Sequence, residues 1–180
     1  MYILAISGSY RKGSYNLALL EQAKNVLPEN TSLEIFDVSK FPLFSKDLEQ
    51  NPPENVLKFK EKISSSDAIL IASPEHNHSI TAVLKNAIEW GNRPDNSWDG
   101  KPAAIISVTV GIRGGVRSQE NLRLIMVDLN MHPINKPEFL LGRAREVFDD
   151  NMKLKDDDAK NLLRIVLQNL VSWAAKINKQ

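Results

Sequence analysis

Three short stretches of the 180-residue chain gather groups suited to gripping an anion or facing a planar ring. The first is Ser7-Gly8-Ser9-Tyr10-Arg11-Lys12-Gly13-Ser14-Tyr15-Asn16, which follows an apolar run and leads into a segment of helical period. Hydroxyls, glycines and an Arg-Lys pair at a helix amino terminus suit a terminal phosphate. Backbone N–H groups and the helix dipole face the anion there, and Arg11 adds a charge-assisted contact. The plainer alternative is a serine-rich turn with an ordinary cap at Ser14. The second stretch is Ser73-Pro74-Glu75-His76-Asn77-His78-Ser79, ahead of a helix that carries Lys85-Asn86-Ala87-Ile88-Glu89-Trp90. In the third, Thr109–Gly115, Gly111, Gly114 and Gly115 promise flexible backbone and room for a planar ligand to approach.

Several chemistries are excluded or disfavoured by the same residues. The first loop is neither GxxxxGK[ST] nor GxGxxG, so it fits a monophosphate such as that of FMN better than a nucleoside triphosphate or a pyrophosphate. No serine sits in a GxSxG elbow, so a hydrolase triad lacks its motif. The chain has no cysteine, which removes disulfides, thiolate metal sites and cysteine nucleophiles. His76 and His78 lack an obvious third ligand, and no metal site is expected. Lys+Arg number 23 against 22 Asp+Glu, a balance that argues against nucleic acid or an anionic membrane as partner. The apolar amino terminus is too short for a secretory signal and no stretch is long enough for a membrane span, so a cytoplasmic protein is expected.

These loops need a scaffold that presents them together. Tyr2–Ser7, Ser32–Asp37, Asp67–Ser73 and Pro102–Thr109 read as strands, with a short fifth over Met131–Leu140 interrupted by Pro133 and Pro137. Helical spacing marks Leu17 to Leu27, Glu54–Ser64, Ser79–Gly91, Leu122 to Leu129, and a long stripe from Ala159 to Ile177. Asp156-Asp157-Asp158 reads as the cap and dipole complement of that last helix, His132 as structural, and Trp90 and Trp98 as packing. Continuously apolar strands alternating with helices imply one α/β domain over residues 1–180: a three-layer sandwich with a five-stranded parallel sheet and helices on both faces. Ligands of such sheets bind outside the carboxyl ends of the strands, where all three loops fall. Phe41–Pro53, a long irregular connection, reads as functional or partner-facing.

From Ile3 to about Leu140 the chain resembles the NAD(P)H-dependent FMN reductases of flavodoxin-like fold, which include quinone, azo-dye and chromate reductases. Gly8 to Asn16 is similar to the family's GSxRxxSxN, and Ser73–Ser79 with Leu84–Trp90 to its PEYNxS…LKNAIDW. Gly111, Gly114-Gly115 and Arg117 form a weaker third motif. The resemblance implies that Ser9, Arg11, Ser14, Tyr15 and Asn16 hold the FMN phosphate and ribityl chain. It places Pro74, Glu75, His76 and Asn77 at the isoalloxazine edge, largely through backbone groups, with Val108, Thr109 and Gly111 flanking the ring. It also implies hydride transfer from NADPH or NADH through flavin N5 to a small acceptor (a quinone, azo compound, metal oxyanion or free flavin), with no side chain singled out as catalytic. A homodimer or homotetramer is implied, with Phe41–Pro53 and the helix from Ser79 as contact surfaces. The alternative is a flavodoxin-like FMN carrier that does not react with NAD(P)H. Two departures stand out: His76 replaces the family's Tyr, and Thr81-Ala82 replaces its Pro-Gly.

Overall fold

The structure is a computed structural model that describes residues 1–179; Gln180, the last residue of the expected domain, lies outside them. Six strand segments form one parallel sheet: β1 (Tyr2–Ser7), β2 (Ser32–Phe36), β3 (Ala68–Ala72), β4 (Pro102–Val108), β5 (His132–Pro133) and β6 (Phe139–Leu141). The order is β2-β1-β3-β4-β5, with β6 also on β4. Five lateral positions therefore hold six segments. The expected fifth strand is split, because the three steps from Ala103 to Ile106 on β4 are matched by six from Pro133 to Phe139. The surplus residues loop out around Pro137, where a continuous ladder cannot run.

Among the described residues, seven helical segments flank the sheet: α1 (Tyr15–Lys24), α2 (Lys46–Glu49), α3 (Glu54–Ser65), α4 (Ala82–Asn92), α5 (Val116–Asp128), α6 (Ala144–Val147) and α7 (Asp157–Ile177). Because strand side chains alternate, Ile3, Ala5, Leu70 and Ile106 meet α1 and α7 on one face, while Leu4, Ile6, Ile69 and Ile105 meet α3, α4 and α5 on the other. Neither face of the central strands sees solvent, which is why they read as apolar runs broken only by Ser7 and Ser107. Asp156 caps α7, its Oδ1 accepting from Ala159 N at 2.8 Å. Trp90 and Trp98 are fully buried packing residues, their indole N–H groups donating to the Pro42 and Ile88 carbonyls. Gly91 lies so tightly under Trp98 that a Cβ would come 2.4 Å from Nε1.

Two expectations need correction. The helix expected from Ser79 begins at Ala82, because His76–Ser79 closes a tight hairpin through reciprocal backbone bonds of 3.0 and 2.9 Å. Asn77 and His78 both take positive φ to make that turn. The 41–53 connection is not wholly irregular: it contains α2 and is fastened to α4. Asn86 donates to the Pro42 carbonyl and accepts from Phe44 N, and Phe44 packs edge-on against Trp90.

Candidate active site

The chain leaves β1, turns back through β2 on one side, and returns as β3 on the other, so the topological switch lies between β1 and β3. A crevice opens there, outside the carboxyl ends of β1, β3 and β4. A cavity of about 150 Å³ is lined by Ser9, Arg11, Ser14, Tyr15 and Asn16 from the first loop, Pro74, Glu75 and His76 from the second, and Val108, Thr109 and Val110 from the third. An adjoining cavity of about 430 Å³ shares Glu75 and Thr109 and extends along Gly111, Ile112, Arg113 and Arg117. Of the expected site residues, only Asn77 lines neither cavity; it forms the exposed tip of the second loop.

The first loop is an anion cradle by its donor set. Ser14 caps α1, its Oγ accepting from Leu17 N at 3.3 Å, so the plain capping role and a ligand role coexist in one residue. The amides of Tyr15 and Asn16 have no acceptor among the described residues, and the first turn of α1 carries no acidic side chain to neutralise the dipole. Arg11 reaches only the Lys12 carbonyl, at 3.2 Å, and is exposed. The Ser9 hydroxyl and the Arg11 guanidinium therefore complete a rim of free donors at a helix N-terminus. That set matches a phosphate group.

Side chains lock the three loops to one another. Gly8 N donates to the Ala72 carbonyl at 2.8 Å, and a Cβ on Gly8 would meet Pro74 Cδ at 2.7 Å. Thr81 caps α4 and donates its hydroxyl to the Gly8 carbonyl at 2.7 Å. The departure from the family's Pro-Gly thus adds a bond between the first two loops. Ser118, at the start of α5, donates to the Pro74 carbonyl at 3.0 Å and meets the Ser73 hydroxyl at 2.6 Å. Tyr10 turns inward, donating to the Phe36 carbonyl and accepting from Ser7 N; burial pushes its phenol above the ordinary range.

Two expected ligands have their side chains engaged within the protein. Asn16 is 4% exposed, and its amide donates to the Val108 carbonyl at 2.8 Å while accepting from Val108 N at 3.2 Å. β3 pairs with β4 only as far as Ile106, so Val108 overruns its neighbour and Asn16 supplies the missing ladder partner. Glu75 accepts from Arg117 N at 3.1 Å and lies 3.7 Å from the Arg117 guanidinium. It serves as a cap for α5, whose own capping residue, Gly115, has no side chain. The Glu75 and Asn77 amides have no acceptor among the described residues and remain free to donate.

The glycines of the third loop behave differently from expectation. Gly114 and Gly115 are buried at positive φ, and a Cβ on Gly114 would come 2.5 Å from the Leu140 carbonyl carbon. Only Gly111 faces open space. The loop is thus pinned rather than flexible, with the Gly111 carbonyl accepting from Arg143 N and from the Thr109 hydroxyl at 3.1 Å each. Thr81, Ser118 and the Asn16–Val108 pairing were not foreseen. Opposite charges on Glu75, in the second loop, and Arg117, just past the third, were the one signal of an interlock visible beforehand.

A parallel doubly wound sheet with a rim of free donors after β1 and a crevice outside the β3 and β4 ends has the flavodoxin-like architecture of mononucleotide-binding proteins. Comparison with known proteins narrows this. Residues 1–146 match the family described as NADPH-dependent FMN reductase, and the chain belongs to that family. It is 42% identical over 177 residues to an NAD(P)H-dependent FMN reductase of Pseudomonas aeruginosa, covering 97% of this chain and 96% of that one. It is 43% identical over 182 residues to an NAD(P)H:quinone oxidoreductase of Solanum tuberosum, covering 97% and 93%. Among solved structures, the FerB flavoenzyme NAD(P)H:(acceptor) oxidoreductase of Paracoccus denitrificans superposes with a TM-score of 0.89 at 29% identity, covering 97% of each chain. The protein is an oxidoreductase whose cofactor is FMN and whose electron donor is NAD(P)H. The electron-carrier alternative is set aside accordingly.

Proposed function

We propose that the chain reduces a small acceptor of the quinone class with electrons from NAD(P)H, on FMN held by the three loops described above. The observation that carries the assignment is the donor set at α1: the free amides of Tyr15 and Asn16, the hydroxyls of Ser9 and Ser14, and the Arg11 guanidinium, with no acidic side chain in the first turn of the helix. Tyr15 and Pro74 supply apolar wall, Val108 and Thr109 close the crevice from the end of β4, and the free Glu75 amide lies at the crevice as a donor for a ring edge. Donors fixed by the surrounding structure stabilise negative charge without reorganising. FMN supplies the two-electron chemistry between donor and acceptor. The protein's part is to bind, orient and polarise, and no side chain is required as nucleophile or general acid.

We further infer a homodimer or homotetramer in the cytoplasm. The two segments expected to form its contacts adjoin: 41–53 is fastened to α4 by Asn86 and Trp90, and it displays Leu43 at 81% exposure. No helix among the described residues is long and apolar enough to cross a membrane. Light scattering at micromolar concentration tests the assembly, and a monomer would refute it. The chemistry is tested by reconstituting the protein with FMN and adding NADPH or NADH anaerobically, then a quinone. Rapid loss of the oxidised-flavin bands, restored by the quinone, is expected; a bound flavin that neither nucleotide bleaches would overturn the assignment.

A further inference from the structure

The larger cavity beside the crevice contains an unusual combination: a pinned main chain, an exposed apolar side chain and one uncommitted cation. The loop between Gly111 and Gly114 is clamped along its length. Arg143 N holds the Gly111 carbonyl at 3.1 Å, a Cβ on Gly142 would meet the Ile112 carbonyl oxygen at 2.6 Å, and Gly114 is packed flush against Leu140. Ile112 nevertheless stands 76% exposed, with Arg113 exposed beside it. Of the two arginines on this cavity, Arg117 is taken up by Glu75. Arg113 has no ion-pair or hydrogen-bond partner among the described residues. A guanidinium on a fixed backbone, with an apolar shelf at its side, suits a ligand that presents a flat apolar body and a phosphate.

We propose that Arg113 grips the 2′-phosphate of NADPH and so sets this chain's preference for NADPH over NADH. The inference rests on the reductase reading, and it adds the route by which the donor lies across the site. The cavity shares Glu75 and Thr109 with the crevice, so a nucleotide whose nicotinamide faces the flavin position has this cavity as its exit. Its volume of about 430 Å³ falls within the roughly 300–1,000 Å³ usual for small-molecule sites. NADPH and NADH differ only in the 2′-phosphate, and Arg113 is the free charge that distinguishes them here. Arginine meets a phosphate dianion with two parallel donors, whereas a lysine meets it as a point charge.

The test compares wild type, Arg113→Gln and Arg113→Lys as FMN holoenzymes. The NADPH-to-NADH ratio of kcat/KM is expected to fall about ten- to a hundredfold in Arg113→Gln, with the loss falling on NADPH, and by less in Arg113→Lys. Calorimetric titration with 2′,5′-ADP and with ADP gives a second readout free of turnover. Selective weakening of 2′,5′-ADP supports the assignment. An unchanged ratio, or equal losses with both nucleotides, overturns it while leaving the reductase reading intact. A wild-type flavin that neither nucleotide reduces would instead remove the reading beneath it.

Discussion

Replacing Asn16 with Ala separates a residue that holds the ligand from one that holds the strand beneath it. In the structure both ends of the Asn16 amide are engaged by Val108, at 2.8 and 3.2 Å, and Val108 itself is 2% exposed. Removing the amide leaves one N–H and one C=O without partners beyond the end of β3. Each buried polar group left unsatisfied costs about 1–3 kcal/mol. Val108 lines the crevice, so a water entering the vacated space recovers part of that, and a net loss of about 2–4 kcal/mol is expected. For a chain of this size, 1 kcal/mol corresponds to about 2–4 °C in melting temperature, so the flavin-free variant should melt about 5–15 °C below wild type. Calorimetry of the apoprotein reads this, and titration with FMN by fluorescence quenching reads affinity separately; less than a tenfold loss of affinity is expected. An apo melting point within 2 °C of wild type, together with a tenfold or greater loss of FMN affinity, would refute the reasoning and assign the amide to the ligand.

Arg11→Ala should weaken FMN by about ten- to a hundredfold, the value of one charge-assisted contact, and flatten the salt dependence of binding measured by the same titration. Gly114→Ala combines a positive φ of 62° with a Cβ 2.5 Å from the Leu140 carbonyl carbon, and should cost about 3 kcal/mol in denaturant melts, whereas Gly111→Ala, which meets no atom within 4 Å, should be tolerated. Glu34 is held below its ordinary value of 4.5, chiefly by the hydrogen bond from Lys62, so its stabilising contribution is present above that value and is lost as pH falls through the folded-state value. Lys62→Met should move the carboxyl back up toward 4.5 in an NMR titration, with only a small loss of stability because the pair is partly exposed.

Element type was legible wherever one periodicity governed a segment. The runs in β1, β3 and β4 are apolar at all but Ser7 and Ser107 because helices cover both faces, and the α7 stripe repeats every three or four residues because only one of its faces is buried. Boundaries failed where local turn chemistry prevailed. The helix reads from Ser79 in the sequence, yet Asn77 and His78 accept positive φ and close a hairpin that takes up Ser79 before Thr81 caps α4. The strand expected over Met131–Leu140 divides because Pro137 sits where a ladder donor would be needed. The grouping of donors at the start of α1 was legible because they are contiguous in sequence. The Asn16–Val108 pairing was not, since its members are 92 residues apart and meet only because β4 outruns β3 by two residues.

The same kind of pairing keeps rigid a site made of loops and the ends of the elements they join. Four side chains each complete the backbone bonding of a neighbouring element: Asn16 on α1 for the end of β4, Thr81 for the turn after β1, Ser118 on α5 for the turn after β3, and Glu75 for the start of α5. Among the described residues, the N–H groups of Tyr15, Asn16 and Glu75, which line the crevice, are left without acceptors. A loop held only by its own turn would relax toward solvent and satisfy those donors with water. Held by its neighbours, it keeps them unsatisfied and aimed, which is what binding an anionic cofactor without reorganisation requires. It follows that substitutions at Thr81 or Ser118, neither of which lines the crevice, should weaken FMN through position alone.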